Sequence, residues 1–143
     1  MNTKTKSPRV AIILVGLLAL IQLIRLMAFT IVQDALAGKV AEAWLFPAMT
    51  DVFVGSVALF VALGLWRGKG LAVWTSAIVF YAISISDHLD AISVVLTSKG
   101  PAPAMMSGAP SAIVTQLVVM TLLEVAALWA LTTKSMREHY LST

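Results

Sequence analysis

Six ionisable side chains interrupt long apolar stretches of the sequence. They are Arg25, Asp51, Asp87, His88, Asp90 and Glu124. Carboxylates beside an imidazole can exchange protons, and a guanidinium can hold an anionic group or balance the carboxylates. A charge at the centre of a bilayer costs at least about 2.5–3.5 kcal/mol. If these stretches cross a membrane, the six side chains must therefore face one another or become neutral, which makes them the first candidates for a binding site.

The composition indicates that the stretches do cross a membrane. The chain has 143 residues, of which 59% are apolar and 12% are charged, and it has no cysteine. Soluble domains run near 45–50% apolar and about 25% charged. An ordinary water-soluble fold, a disordered chain, a disulfide scaffold and a cysteine-ligated zinc site are therefore excluded.

Four apolar stretches account for nearly the whole chain, at about residues 10–32, 47–66, 71–95 and 111–131. Each has on the order of 20 residues, which is the length that an α-helix needs to cross a hydrocarbon core about 30 Å thick. The tetrapeptide Arg67-Gly68-Lys69-Gly70 predicts a tight turn between the second and third stretches. The sequence predicts one all-α transmembrane domain over residues 1–143, a four-helix bundle.

Basic residues in the flanks predict the orientation of the bundle. Seven lie on one predicted side and two on the other: Lys4, Lys6, Arg9, Arg67, Lys69, Lys134 and Arg137 against Lys39 and Lys99. The positive-inside rule then predicts a multi-pass protein of the cell inner membrane, N-in and C-in. The net charge of +3 reflects this topology, and we expect the lipid bilayer, and no nucleic acid, as a partner.

Depth arithmetic places most of the polar groups in one layer. At a rise of about 1.5 Å per residue, Arg25 and Asp87 lie about 22 and 24 Å from the cytoplasmic edge, and Asp51 lies about 6 Å beneath the outer edge. Gln116 is expected at this level too. Glu124 lies about 20 Å below the start of its stretch, so we expect it to form a separate site or the bottom of the same cavity.

The third stretch supports a polar cavity in the outer half of the bundle. At about 100° per residue, Ser84, Asp87 and His88 share one broad face, with Asp90 at its edge. In the outer layer, Asp51 adds a third carboxylate to those of Asp87 and Asp90. Arg25 is the one positive charge that opposes them. Three close carboxylates do not all remain ionised in a low dielectric, so we expect at least one to carry a proton. His88 could hold the balancing proton, or a cation could bind.

The segment between the third and fourth stretches contains several Pro and Gly residues, which oppose a continuous helix. Its apolar Met105 and Met106 allow it to fold back over the mouth of the bundle as a lid, although an exposed loop is the more ordinary outcome.

Metal and cofactor sites are poorly supported. Only a subset of Asp87, His88 and Asp90 can point at one centre, and His139 is predicted too far from His88 for bis-histidine haem ligation. Ser84 and His88 are one turn apart, but a continuous helix offers no free backbone donors for an oxyanion. The sequence predicts no bound metal and no cofactor, and it assigns no catalytic residue.

Three segments carry a resemblance to a known family. Asp51-Val52-Phe53-Val54-Gly55 opens the second stretch, Gly68-Lys69-Gly70-Leu71 opens the third, and Asp87-His88-Leu89-Asp90 follows. This order resembles the DoxX-like small bacterial four-span membrane proteins. The similar positions are Asp51, Gly55, Gly70 and either Asp87 or Asp90. The resemblance implies an association with quinone-linked redox complexes.

The leading functional hypothesis is an intramembrane polar pocket that binds or translocates a small ligand or a proton. Its predicted site residues are Arg25, Asp51, Ser84, Asp87, His88, Asp90, Gln116 and Glu124. One alternative is an accessory subunit of a larger membrane complex, in which the charges stabilise helix packing. The other is a quinone-linked membrane enzyme. We expect a homo-oligomer or a subunit of a membrane complex.

Overall fold

A computed structural model describes residues 8–106 and 108–142, and all the regular structure in these ranges is helical. Four helical stretches are long and apolar enough to cross a membrane, namely Arg9–Leu36, Glu42–Arg67, Leu71–Thr97 and Pro110–Thr132. The predicted all-α bundle with four spans is confirmed, and the chain is that of a multi-pass helical membrane protein.

The first span changes its helical geometry near its middle. It begins as α1 (Arg9–Ile21), tightens into a 3₁₀ segment (Gln22–Ala28) and continues as α2 (Phe29–Leu36). A 3₁₀ helix has three residues per turn, so side chains three apart lie above one another, and runs longer than three or four residues are uncommon. Within this segment Gln22, Arg25 and Ala28 recur at that spacing and are all buried. The 3₁₀ geometry therefore aligns Gln22 with Arg25 on the inner face.

The second and third spans form an antiparallel pair. A short 3₁₀ turn (Glu42–Trp44) leads into α3 (Leu45–Arg67), and α4 follows (Leu71–Thr97). The predicted turn between them is confirmed: Gly70 has a φ of 101°, in the left-handed region that favours glycine. Helix α3 contacts α1, the 3₁₀ segment and α4, and it is therefore central in the bundle.

Gly55 brings α3 close to the 3₁₀ segment. A Cβ atom at this position would lie 2.9 Å from the backbone nitrogen of Leu26. No ordinary side chain fits that distance, so the absence of a Cβ allows the two backbones to approach. The contact holds the 3₁₀ segment against the helix that carries Asp51.

The fourth span, α5 (Pro110–Thr132), packs chiefly on α4. Much of its apolar surface is exposed, including Leu122 and Trp129, as expected of a helix that faces lipid. A short helix that the sequence analysis does not predict, α6 (Lys134–Leu141), folds back on the bundle. The Tyr140 hydroxyl donates a 2.7 Å hydrogen bond to the carbonyl of Leu65 and fixes this helix in place.

The two ends of the bundle differ. We call the end that carries the α2–α3 and α4–α5 connections the capped end, because these connections pack on each other there. The backbone N–H of Ala41 donates a 3.0 Å hydrogen bond to Pro101, and Met106 packs against the cluster that contains buried Trp44. The opposite end, with the α3–α4 turn and α6, is called the basic end because it carries Arg67, Lys69, Lys134 and Arg137.

Candidate functional site

A polar layer separates two apolar cores inside the bundle. The larger core extends toward the basic end and includes Ala19, Val54, Tyr81 and Ala127. The smaller core lies at the capped end, around Ala28, Ile31, Trp44 and Ala48. Between the two, each span contributes polar side chains: Gln22 and Arg25 from the 3₁₀ segment, Asp51 from α3, Ser84, Asp87 and His88 from α4, and Glu124 from α5. We call these seven residues the polar cluster.

Arg25 binds two other helices through its guanidinium. Its Nε donates to Asp51 of α3, while its Nη1 and Nη2 donate to Ser84 and Asp87 of α4. The side chain is buried, and each guanidinium nitrogen has a partner from the protein. Arginine is suited to this role because its planar fork of N–H donors can engage several acceptors at once. The predicted meeting of Arg25, Asp51 and Asp87 is therefore present.

Glu124 belongs to the same cluster. One of its oxygens, Oε1, accepts a 3.0 Å hydrogen bond from Nε2 of Gln22 and a 2.6 Å hydrogen bond from the Ser84 hydroxyl. Because Ser84 also accepts a hydrogen bond from Arg25, it links the guanidinium to the glutamate. Glu124 therefore does not form a separate site, and it joins the other charges without lining the cavity described below.

His88 faces Glu124. Its Nδ1 lies 3.0 Å from Oε2 of Glu124, and both side chains are buried. The distance is that of an ion pair, but the two groups are not aligned as a hydrogen bond. In the described residues, Nδ1 of His88, Oε2 of Glu124 and Oδ1 of Asp87 are buried polar atoms without a hydrogen-bond partner. Such atoms are uncommon in folded proteins, which makes this group a candidate for binding a proton or a ligand.

The cluster contains more carboxylates than cations. Asp51, Asp87 and Glu124 are opposed by the single permanent positive charge of Arg25. With a neutral His88, full ionisation would leave two uncompensated negative charges in a low dielectric. One bound proton would still leave one negative charge. The cluster therefore favours the binding of protons or of a cation.

A cavity of about 540 Å³ lies between the polar cluster and the capped end. Its polar wall includes Arg25, Asp51, Asp87 and His88, and its remaining walls are mostly apolar, from the first span, the start of α3 and the first half of α5. Met105 and Met106 also line it, so the α4–α5 connection folds back over the bundle rather than extending into solvent. This volume falls in the range of small-molecule sites.

Two predicted site residues lie at the margin. Gln116 lines the cavity from an exposed position on α5. Asp90 is partly buried, does not line the cavity, and has no ion-pair partner among the described residues. Gln22, in contrast, was not predicted although it is 2% exposed and binds Glu124. The available signal was a lone amide inside an apolar span, three residues before Arg25.

A second concavity, of about 550 Å³, lies between α3 and α4. Its walls are apolar apart from two hydroxyl side chains, Thr75 and Ser76, and no ionisable residue of the described chain lines it. Acyl chains fit such a groove without specific recognition, so the cavity beside the polar cluster is the stronger candidate site. Within residues 8–106 and 108–142, no three His, Asp or Glu side chains are grouped as ligands for a metal ion.

Compared with known proteins, the chain matches no family model, no curated protein and no solved structure. The resemblance to DoxX-like proteins therefore stays a prediction, and the geometry of the polar cluster and its cavity is the basis for a functional proposal.

Proposed function

We propose that this membrane protein binds a small lipophilic cation in the cavity, with the cationic group beside Asp51 and Asp87 and the apolar part against the remaining walls. The observation that carries the proposal is the excess of carboxylates over cations at the polar wall of an otherwise apolar cavity. A cation that enters there compensates buried negative charge, while its apolar part remains out of water.

The hydrogen bonds of Arg25 argue against an anionic ligand. Its three nitrogens already donate to Asp51, Ser84 and Asp87. An anion would have to displace one of these carboxylates and would leave it unpaired in a buried site. A cation needs no such displacement, because Asp51 is 22% exposed and can accept a further contact.

Three probes of similar size and different charge test this proposal: benzyltrimethylammonium, benzyl alcohol and benzoate. The readout is thermal unfolding of the protein in lipid nanodiscs, since a ligand that binds only the folded state stabilises it by about 2.7 kcal/mol at a hundredfold excess over Kd. We expect benzyltrimethylammonium to stabilise the protein most, benzyl alcohol to stabilise it less, and benzoate to have no effect. Equal stabilisation by benzoate would overturn the assignment of a cation.

A pair of matched variants locates the binding site. Asp51→Asn removes one negative charge from the cavity wall and is expected to weaken the ammonium effect at least tenfold. The control is Asp34→Asn, which removes the same charge from an exposed pair with Lys39. If both variants bind the ammonium as the wild type does, the cation does not occupy this cavity.

A second candidate function is that of an accessory subunit in a larger membrane complex, as a homo-oligomer or with other chains. It is favoured by the closed pairing of Arg25, which joins three spans without any ligand. Under this alternative none of the three probes stabilises the protein. Native mass spectrometry after release from a mild detergent would then show additional subunits.

We place the protein in the inner membrane, with the capped end outside and both termini in the cytoplasm. The support is the grouping of Arg67, Lys69, Lys134 and Arg137 at the basic end. Because the sequence has no cysteine, single cysteines introduced at Lys39 and Lys69 report the two sides without background. An impermeant thiol reagent applied from outside is expected to label only the first. Labelling of the second would reverse the orientation.

A further inference from the structure

Glu124 uses its two oxygens differently. Oε1 accepts hydrogen bonds from Gln22 and from Ser84, at 3.0 and 2.6 Å. These two donors fill the acceptor directions of that oxygen and fix the orientation of the carboxyl group. Oε2 receives neither donor and points instead to Nδ1 of His88, 3.0 Å away. A proton added to this carboxyl group therefore belongs on Oε2.

The gap between Glu124 and His88 fits only a proton. Glu124 is 0% exposed and His88 is 6% exposed. Neither facing atom has a hydrogen-bond partner within the part of the chain that the structure describes. A separation of 3.0 Å is ordinary for a hydrogen bond between nitrogen and oxygen, whereas a bridging water would require nearly twice that distance.

We propose that His88 and Glu124 form a site that binds one exchangeable proton between Nδ1 and Oε2. With the carboxylate ionised and the imidazole neutral, Nδ1–H donates to Oε2 and the pair carries one negative charge. One further proton binds at Nε2 and makes the pair neutral overall. The proton between the two groups then lies either on Nδ1, giving imidazolium and carboxylate, or on Oε2, giving a neutral imidazole and a carboxylic acid. This proton site differs in position from the site of the proposed cation, which lies beside Asp51 and Asp87.

Other charged and titratable groups lie on the elements that pack around the pair. Arg25 comes from the 3₁₀ segment, Asp51 from α3, and Asp87, Asp90 and Tyr81 from α4 itself. Arg25 is held by Asp51, Asp87 and Ser84 and does not bind Glu124 directly. The Tyr81 hydroxyl donates a 2.5 Å hydrogen bond to the carbonyl of Val15. Among the described residues, the pair therefore has no direct cationic partner.

The proton reaches this site from the capped end. His88 lines the cavity, whereas Glu124 lies behind it and does not. Nε2 of the imidazole can therefore accept a proton from the cavity, while Nδ1 shares its own proton with the glutamate. The Tyr81 hydroxyl lies on α4 toward the basic end from His88, and it already donates to the carbonyl of Val15. The arrangement indicates loading and release on the same side.

Magnetic resonance of isotopically labelled protein tests the proposal directly. The chain has only two histidines, so ¹⁵N-histidine labelling in a His139→Gln background leaves the His88 signals alone. Glu42→Gln and Glu138→Gln in the same background leave Glu124 as the single glutamate, so ¹³C-labelled glutamate reports its carboxyl carbon in the same sample, in nanodiscs. We expect His88 Nδ1 and the Glu124 carboxyl to change over the same pH interval. If the two resonances change independently, at well-separated pH values, the proposal is overturned. This measurement leaves both His88 and Glu124 unsubstituted.

Glu124→Gln provides the second measurement. The new amide keeps the acceptor for Gln22 and Ser84 but cannot take up a proton, so we expect the proton affinity of His88 to change at least tenfold. The matched control is Glu138→Gln at an exposed position of α6, which should leave the His88 titration unchanged. An unaltered His88 titration in Glu124→Gln would contradict a shared proton. If Glu124→Gln does not fold, the proposal is decided by the first measurement, which compares the His88 ¹⁵N and Glu124 ¹³C resonances with both residues unsubstituted.

Discussion

The Gln22 side chain donates a 3.0 Å hydrogen bond to Oε1 of Glu124, a residue 102 positions later in the chain. This bond joins the first span to the fourth, which otherwise have few contacts. It also directs the second glutamate oxygen toward His88. A single amide therefore contributes both to the closure of the bundle and to the arrangement of the polar cluster.

Gln22→Leu should destabilise the protein by about 1–3 kcal/mol, because it removes the donor and leaves a buried acceptor with one bond fewer. Denaturation in mild detergent measures the change. Gln33→Leu makes the same substitution at an exposed position of α2 and should change stability by no more than about 0.5 kcal/mol. Equal effects of the two variants would mean that the bond to Glu124 contributes nothing.

Arg25→Gln should cost about 3–5 kcal/mol, because it leaves the buried carboxylate of Asp87 and the partly buried carboxylate of Asp51 without their cation. Adding Asp87→Asn to this variant should restore at least about 1 kcal/mol, since neighbouring charges do not act additively. Unfolding of the single and double variants provides the comparison. Lys39→Gln breaks an exposed pair with Asp34 and should cost at most about 1 kcal/mol. A double variant less stable than Arg25→Gln would contradict this account.

Gly55→Ala should destabilise the bundle by about 1–3 kcal/mol, because the added methyl group would lie 2.9 Å from the backbone of Leu26 and would force α3 away. The separation would also weaken the bond between Arg25 and Asp51. Gly64→Ala is the control on the same helix, since its methyl group would meet only Val73 at an ordinary 3.7 Å. We expect Gly64→Ala to be neutral or slightly stabilising. If Gly64→Ala were less stable than Gly55→Ala, the close approach of α3 to the 3₁₀ segment would be contradicted.

Burial and the neighbouring ammonium group of Lys69 lower the pKa of His139 on α6 below its ordinary value of 6.5. The unfolded chain then binds a proton more readily than the folded protein. This group therefore makes folding stability decrease as the pH falls through about 6.5. Lys69→Gln removes one of the two causes and should raise the pKa of His139, as followed by its imidazole resonance. A pKa that stays constant or falls in this variant would show that Lys69 has no such effect.

Much of the architecture follows from the sequence by itself. The length and composition of four apolar stretches require helices, because a backbone in lipid must satisfy its own hydrogen bonds. The turn at residues 67–70 follows from two glycines between the second and third stretches. The rise per residue also brings Arg25, Asp51 and Asp87 to one level, and the cost of a lone charge in lipid predicts that they pair.

Tertiary structure decided the partners within that layer. A uniform α-helical rise and rotation do not predict that residues 22–28 form a 3₁₀ segment, which aligns Gln22 with Arg25. The depth of Glu124, calculated from the rise per residue of its own helix, is compatible with a separate site or with a position beneath the other charges. The position of α5 relative to α4 determines which, and it brings Glu124 to Ser84 and His88. Apolar pattern and length determine which segments cross the membrane, whereas the offsets between packed helices determine which side chains meet.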